Sequence, residues 1–226
     1  NSLYNGRLQN LKLFNKSKIS FSPNDTGNSI GSAIEVAKQS NPNQIIKGID
    51  SFIGDSFDSE KIKKELDLYK IKYSELNETE MIKSISSNLI KDKVIGLFIG
   101  KSEFGQRALG SRSIIASPRN KKMKEIVNKK IKYREPFRPF APVIKIDDLK
   151  KIFDVSSEDS VMYMEKALQF KKKFKKICPA VVHKDGTGRV QTVNKKSFFY
   201  KLITKFESFT NCPVLLNTSF NLNNEP

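Results

Sequence analysis

The stretch from Val94 to Val143 contains the features from which a fold class can be predicted. It opens with VIGLFIG (94–100), continues with KSEFGQRALGSRSI (101–114) and closes with IKYREPFRPFAPV (131–143). The opening run is short, rich in apolar residues and bounded by glycine, which predicts a buried β-strand. The polar sequence that follows is not ordinary loop composition, because arginine recurs in it beside Gly, Pro and Phe.

Four arginines of this stretch stand among Gly, Pro or aromatic residues: Arg107, Arg112, Arg134 and Arg138. A guanidinium held in such a frame can bind a planar anion, a carboxylate or a phosphate, through two parallel hydrogen bonds. The alternative is a solvated basic loop, the commoner setting for basic residues. The interleaved Phe and Pro favour an anion site, because a solvated loop has no need of apolar rings. We expect Arg138, in PFRPF (136–140), to be screened from water.

The bulk composition indicates a globular chain with an anionic partner. Among 226 residues, 41 are basic and 24 acidic, a net charge of +17 that suits polyanions, acidic membranes or anionic small substrates. The 38% hydrophobic content supports a core, and no apolar run is long enough to span a bilayer. Cys178 and Cys212 make no metal spacing, so we predict buried free thiols and a cytoplasmic location. Without an initiator Met, the chain is expected to be a fragment of a longer protein.

Periodicity predicts further elements on both sides of the central stretch. Helices are predicted at 60–68, 79–90, 121–132 and 197–209, and another helix up to about Lys38. Strands are predicted at 18–21, 141–146 and 214–216. The region 41–58 is rich in Asn, Pro, Gly and Ser and is interpreted as a linker, which places a domain boundary near residues 41–60. The lysine-rich run 166–176 is interpreted as a solvated helix face.

Several polar residues admit both a structural and a functional interpretation. Asp25 precedes a predicted helix and is either an N-cap or a ligand. Asp185 lies in the Asp-Gly-Thr-Gly turn and is favoured as a turn former over a catalytic base. The single histidine, His183, is favoured as a structural residue over a metal ligand. Asn217 to Ser219 follow a predicted strand and are either a capped turn or part of a binding site.

Four runs together resemble the carbamoyltransferase family, which includes the NodU/CmcH-type O-carbamoyltransferases. They are EFGQRALGSRSI (103–114), IKYREPFRPFAPV (131–143), HKDGTGRVQTV (183–193) and PVLLNTSFN (213–221). All four occur in the order of the family. This chain has Gln106, Ser111 and Gly188 where the family pattern has Pro, Asn and Ala, and none of these differences removes a charged group.

The resemblance implies an α/β fold with two parts. Residues 1–45 would be the C-terminal part, or tail, of an actin-like (ASKHA-type) carbamoyl-transfer domain. Residues 46–226 would form a YrdC-like open twisted sheet with helices, truncated at its C-terminus. In the first part, Asp25 is implied as a metal ligand whose partners are two histidines much earlier in the family's chains. That metal would be Fe²⁺ or a similar divalent ion.

The resemblance also implies a reaction and its residues. The family forms a carbamoyl-adenylate from carbamoyl phosphate and ATP, with Mg²⁺, and then transfers the carbamoyl group to a hydroxyl of a small-molecule or glycan acceptor. Arg107, Lys132 and Arg138 match basic positions that bind the carbamoyl or nucleotide phosphates and act in catalysis. Asn217 and Ser219 match polar positions that complete the same pocket. Arg189, in the DGTGRVQT run, is a sixth candidate, with a weaker match. Arg112 can instead be structural, bound to backbone carbonyls.

Two other functions remain open. One is a different YrdC-like adenylate-forming enzyme, of the tRNA threonylcarbamoylation or hydrogenase maturation type; the order of the segments favours the O-carbamoyltransferase. The other is a basic nucleic-acid-binding module, which rests on net charge alone. The Phe residues are at core-like spacing or beside Pro, so we do not expect a nucleic-acid partner. We expect no membrane partner, and a homodimer is left open.

Overall fold

The computed structural model describes residues 1–11, 17–45, 50–155, 161–222 and Glu225. Its helices are α1 Ser2–Asn10, α2 Thr26–Ser40, α3 Ser59–Leu68, α4 Glu78–Ile90, α5 Met123–Lys130, α6 Leu149–Ile152, α7 Lys172–Ile177 and α8 Phe198–Thr210. Its strands are β1 Ile95–Phe98, β2 Arg112–Ala116, β3 Ala141–Lys145, β4 Ala167–Gln169, β5 Thr187–Arg189, β6 Gln191–Val193 and β7 Val214–Ser219. The predicted mixed α/β class is therefore confirmed.

The main sheet has five strands in the order β1-β2-β7-β3-β6, so the strand nearest the end of the sequence lies at the centre. β7 runs antiparallel to both of its neighbours, and only β3 and β6 pair in parallel among the described strands. Asn217 of β7 is level with Ile115 of β2 on one side and with Ala141 of β3 on the other. Consequently the loops that precede β2 and β3 meet at the carboxyl end of β7.

Two helices pack together beside this sheet and form much of the core. α4 contributes Ile82, Ile85 and Leu89, which recur at helical spacing. α8 contributes a second buried face: Phe199, Leu202, Ile203 and Phe206. α4 begins with a capping box, in which Asn77 and Glu80 each bind the other's backbone N–H at 3.0 Å. The sequence of each helix therefore specifies both its start and its buried face.

Most of the predicted elements agree with the structure, and four details do not. β1 is an edge strand with Leu97 as its buried residue, so the expected buried strand is wrong. Residues 18–21 form no strand. The run 166–176 is a solvated helix face only in α7, where Lys172, Lys173 and Lys176 are exposed, because its first part holds β4 and Lys166 is buried. Phe209 of α8, one of the Phe residues at the core-like spacing noted in the sequence, is 55% exposed.

The first 45 residues and the predicted linker both contact the rest of the molecule. A Cβ on Gly6 of α1 would lie 2.0 Å from the carbonyl oxygen of Ala167 in β4, so this contact requires glycine. In the linker, Ser51 O accepts from the backbone N–H of Phe104 at 2.7 Å, and Gly54 donates its own to Ser102 O at 3.1 Å. Residues 46–49 lie outside the described residues, and the division at 45/46 stays a prediction. No helix in the described ranges is long and apolar enough to cross a membrane.

Candidate anion-binding site

The loop before β2 is held in shape by the carboxylate of Glu103. Its Oε1 accepts from the backbone N–H groups of Leu109 and Ser111, each at 2.7 Å, and from that of Arg112 at 3.4 Å. Gly110 has a φ of +127°, a conformation that favours glycine, and a Cβ there would lie 2.5 Å from the ring of Phe199. The EFGQRALGSR sequence therefore folds into a fixed loop that presents Arg107.

Arg112 stabilises the same loop from behind rather than facing a ligand. Its guanidinium donates to the carbonyl oxygens of Ile99 and Ser111 at 3.0 Å, and to those of Gly100 and Asp55 at 3.3 Å. The guanidinium also stacks 3.6 Å from the centre of the Phe98 ring. These contacts agree with the structural role considered for Arg112.

The loop before β3 is positioned by Asn128, which is buried in α5. The Asn128 Nδ2 donates to the carbonyl oxygens of Pro136 and Arg138, at 3.2 and 3.0 Å. Its Oδ1 accepts from the Arg134 Nε at 2.8 Å. Arg134 lies over the Phe140 ring, and desolvation, followed by the charge of Arg138, lowers its pKa. Arg134 is one of the four framed arginines of the sequence, but the resemblance implies no site role for it, in contrast to Lys132 and Arg138.

A pocket of about 120 Å³ opens where the two loops meet β7. It is lined by residues of both loops, of β7, of β5 and of the segment before β4: Gln106, Arg107, Ala108, Arg134, Pro139, Phe140, Ala141, Met164, Arg189, Asn217, Thr218 and Ser219. Among these described residues three are arginines and none is acidic. The structure thus brings together four of the six residues predicted for the anion site: Arg107, Arg189, Asn217 and Ser219.

The arginines of the pocket have no carboxylate partner in the described part of the chain. Arg189 is partly buried, and desolvation, followed by the charges of Arg107 and Arg134, lowers its pKa to about 10. Arg107 makes one long hydrogen bond, 3.5 Å to Gln106 O. Arg107 is exposed, Arg134 and Arg189 are partly buried, and Glu135 lies near Arg134. The three guanidinium groups still share no paired carboxylate among the described residues, so together they favour an external anion.

Lys132 is also buried, but it lies behind the pocket wall and anchors the end of β7. Its Nζ donates to Ser219 O at 2.9 Å and to Ser219 Oγ at 3.3 Å, and it also binds Asn221. Desolvation, followed by the charge of Arg134, lowers the pKa of Lys132 to about 8. Asn221 is a further residue that sequence reasoning missed, although PVLLNTSFN already contained it.

Arg138 lies outside the pocket lining, and its surroundings differ from those expected. Its side chain is 49% exposed, and its Nε lies 2.8 Å from Oε2 of Glu135. Phe137, expected to screen it, is 74% exposed. The expected burial of Arg138 is therefore wrong: the backbone of this loop is fixed by Asn128, while the side chain of Arg138 turns toward solvent. Its catalytic role stays a prediction.

The structure also bears on the polar residues for which the sequence allows both a structural and a functional interpretation. Asp185 Oδ1 accepts from the Thr187 N–H at 3.0 Å and from the Thr187 hydroxyl at 2.8 Å, as expected of a turn former. His183 Nδ1 lies 3.0 Å from the same hydroxyl, which agrees with a structural role. Asp25 occupies the N-cap position of α2, as one interpretation expected, but it is exposed and its side chain makes no cap bond. Within the described ranges, no three His, Cys, Asp or Glu residues group as a metal site.

Taken together, these features define an α/β domain with an arginine-lined anion pocket at the end of its central strand. The chain belongs to the carbamoyltransferase C-terminus family, whose model matches residues 86–226. This match covers more than half of the chain and includes every residue that lines the pocket.

Relatives of this chain are longer proteins. It is 32% identical over 234 residues to nodulation protein NolNO of Sinorhizobium fredii, which covers all of this chain and 34% of that protein. It is 32% identical over 224 residues to nodulation protein U of the same species, covering 98% of this chain and 38% of that protein. The protein sll1178 of Synechocystis is 33% identical over 253 residues, covering 100% of this chain and 41% of that protein. The chain thus spans about two fifths or less of these relatives.

Among solved structures, T. kodakarensis HypF is similar over 64% of this chain and 18% of its own. The TM-score is 0.43 and the sequence identity 18%, which is too low to support an argument about fold or activity.

Proposed function

We propose that this chain is the part of an O-carbamoyltransferase that activates carbamoyl phosphate with ATP to a carbamoyl-adenylate. The supporting observation is the pocket itself, which Arg107, Arg134 and Arg189 line and whose described lining includes no acidic residue. Pockets for drug-sized ligands measure about 300–1,000 Å³, so a cavity of about 120 Å³ suits a small anion rather than a whole nucleotide. Carbamoyl phosphate is such an anion, and the nucleotide would lie toward the open side.

Atom balance defines what the site has to do. Carbamoyl phosphate must first lose its phosphoryl group to water, which yields carbamate and inorganic phosphate. A carbamate oxygen then attacks the α-phosphorus of ATP and expels pyrophosphate, which leaves the carbamoyl-adenylate. The second step brings two anions together, and phosphoryl chemistry of both kinds depends mainly on positioning and charge stabilisation. Three fixed guanidinium groups supply both, and no side-chain nucleophile is required.

The two metal ions of the proposal, Mg²⁺ and Fe²⁺ or a similar ion, would need different ligands. The pocket offers no carboxylate among its described residues, so Mg²⁺ would arrive with ATP and be held by phosphate oxygens and water. For Fe²⁺ or a similar ion, Asp25 is exposed and offers one oxygen ligand. One carboxylate is fewer than such a site needs, so no step is assigned to a metal at Asp25.

The proposal also includes the transfer step and the cellular location of the protein, which involve more than the pocket. The carbamoyl group would pass to a hydroxyl of an acceptor, in an actin-like domain whose tail would be residues 1–45. Buried Cys178 and Cys212, both unpaired, support a reducing, cytoplasmic setting. The similarity to nodulation proteins along nearly the whole chain favours this over another YrdC-like adenylate-forming enzyme.

The test is nucleotide use by this chain. We expect ATP to be converted to pyrophosphate and an adenylate, recovered as AMP, only when carbamoyl phosphate is present. Release of pyrophosphate and of inorganic phosphate would be followed in parallel, with Lys173→Ala on the exposed face of α7 as a matched basic control. ADP as the sole nucleotide product would count against the adenylate route.

The lowered pKa of Lys132 predicts how anion affinity depends on pH. The second ionisation of a phosphoryl group lies near pH 6, so the charge of carbamoyl phosphate is constant above pH 7. Lys132, with its pKa of about 8, is mostly charged at pH 7 and mostly neutral at pH 9. Since a bound anion favours the charged form, affinity should fall by up to about tenfold across this range.

Isothermal titration calorimetry at pH 7, 8 and 9 would check this dependence. Lys132→Met should bind more weakly at pH 7 and show a flat profile up to pH 9. An unchanged slope in Lys132→Met would show that another group titrates.

A further inference from the structure

Asn217 lies at the floor of the pocket in the middle of the sheet. It pairs across β7 with Ile115 on one side and Ala141 on the other, and it is 1% exposed. A polar side chain so placed has its rotamer fixed by packing. Any polar atom that the protein leaves unpaired there carries a desolvation penalty.

The direction of the Asn217 amide is determined by a chain of hydrogen bonds that starts at a backbone carbonyl. Leu109 O can only accept, so the Gln191 group that lies 2.6 Å from it must be the donor Nε2. This turns Gln191 Oε1 toward Asn217, whose Nδ2 donates to it at 3.0 Å. The same Nδ2 donates to Ala108 O at 2.9 Å. Two acceptors thus fix the amide, and a flipped Asn217 would face both with its oxygen.

The result is an acceptor without a donor. Both N–H bonds of Asn217 are used, whereas its Oδ1 is buried and has no hydrogen-bond partner in the described part of the chain. Glu103 holds the 108–109 loop by the backbone N–H of Leu109, so this arrangement is rigid. Asn217 also lines the pocket, so this unpaired acceptor lies in the wall of a cavity that is lined by three cationic groups.

We infer that Asn217 Oδ1 selects an anion that carries an N–H donor beside its phosphoryl group, and that Gln191 is the positioning residue for this selection. The inference rests on the proposed function and deepens it. Carbamoyl phosphate has an NH₂ group that can donate to Oδ1, while its phosphoryl oxygens accept from the arginines. Acetyl phosphate has the same shape with a CH₃ group in that place, which leaves Oδ1 unpaired.

The experiment compares these two isosteric ligands on the 226-residue chain by isothermal titration calorimetry. A site built to bind an N–H group rejects the analogue that lacks it, so carbamoyl phosphate should bind about tenfold to a hundredfold more tightly than acetyl phosphate. Asn217→Leu should reduce this ratio to near one. Equal affinities in the unmodified chain would overturn the inference and leave the anion site intact, whereas no binding of either ligand would overturn the proposed function.

Gln191→Leu separates positioning from simple structural damage. It removes the acceptor that orients Asn217, so the ratio should fall severalfold while the affinity for inorganic phosphate stays within about twofold. A structural defect would lower the affinity for all three ligands together and keep the ratio. Ser86→Ala, which deletes a buried and unpartnered hydroxyl in α4, is the matched control and should keep the ratio. A wild-type ratio in either Asn217→Leu or Gln191→Leu would overturn the inference.

Discussion

Arg189→Met should lose most of the affinity for carbamoyl phosphate and most of the pyrophosphate release. Arg189 is the most desolvated of the three pocket arginines, and no carboxylate in the described chain pairs with it. Removing it leaves an anion oxygen unpaired in a partly buried site, at a cost of about 2–4 kcal/mol. This corresponds to a loss of about thirtyfold to a thousandfold. Calorimetry and pyrophosphate release would measure the two effects separately.

Three further variants serve as controls for the Arg189→Met result. Arg189→Lys should recover little, because a lysine lacks the planar fork that binds two oxygens. Arg138→Ala should cost less than Arg189→Met, since Arg138 is half-exposed and already paired with Glu135. Lys173→Ala should have almost no effect. Near wild-type binding by folded Arg189→Met would remove this residue from the site.

Glu103→Ala should produce the largest loss of stability and a loss of anion binding with it. Its carboxylate accepts two backbone hydrogen bonds at 2.7 Å and one at 3.4 Å, and the alanine leaves those donors unpaired. Hydrogen bonds to charged groups are worth about 1.5–3 kcal/mol each, so a total of about 3 kcal/mol is a cautious value. For a chain of this size the melting temperature should fall by about 10 °C. Differential scanning calorimetry would measure it.

The loop that Glu103 holds also carries Arg107 and the Ala108 carbonyl that binds Asn217. Glu103→Gln keeps one acceptor oxygen and should lie between the wild type and Glu103→Ala in both stability and affinity. Glu65→Gln, on the exposed surface of α3, should change neither. A melting temperature of Glu103→Ala within about 2 °C of the wild type would contradict the role assigned to the carboxylate.

The sequence predicts local elements well where periodicity and capping agree. α4 and α8 have apolar residues at helical spacing and polar caps, so their positions follow from local chemistry. Burial is harder to predict from the sequence, because it depends on which strand lies at the edge of the sheet. β1 has the composition of a buried strand, yet pairing with β2 alone leaves its Phe98 half-exposed.

Two arginines of a single loop also show that local sequence does not predict which side chains reach the pocket. Arg134 and Arg138 stand four residues apart in one motif with similar neighbours, and the family resemblance implies a site role only for Arg138. The structure places Arg134 in the pocket because Asn128, from α5, binds its Nε. Such a contact between side chains of different elements has no signature in composition or spacing. The Gln191–Asn217 bond, across 26 residues, is likewise absent from any local pattern.

The central position of β7 has a consequence for the order in which the protein can form during synthesis. β7 is the last of the described strands to leave the ribosome, and until it does the β1–β2 pair and the β3–β6 pair have no common neighbour. Each pair then presents a bare edge, β2 or β3, that offers unpaired backbone groups to other chains. The bond between Asn217 and Ala108 joins residues 109 positions apart. Such distant contacts close slowly, so the nascent chain is exposed to misassembly until β7 inserts.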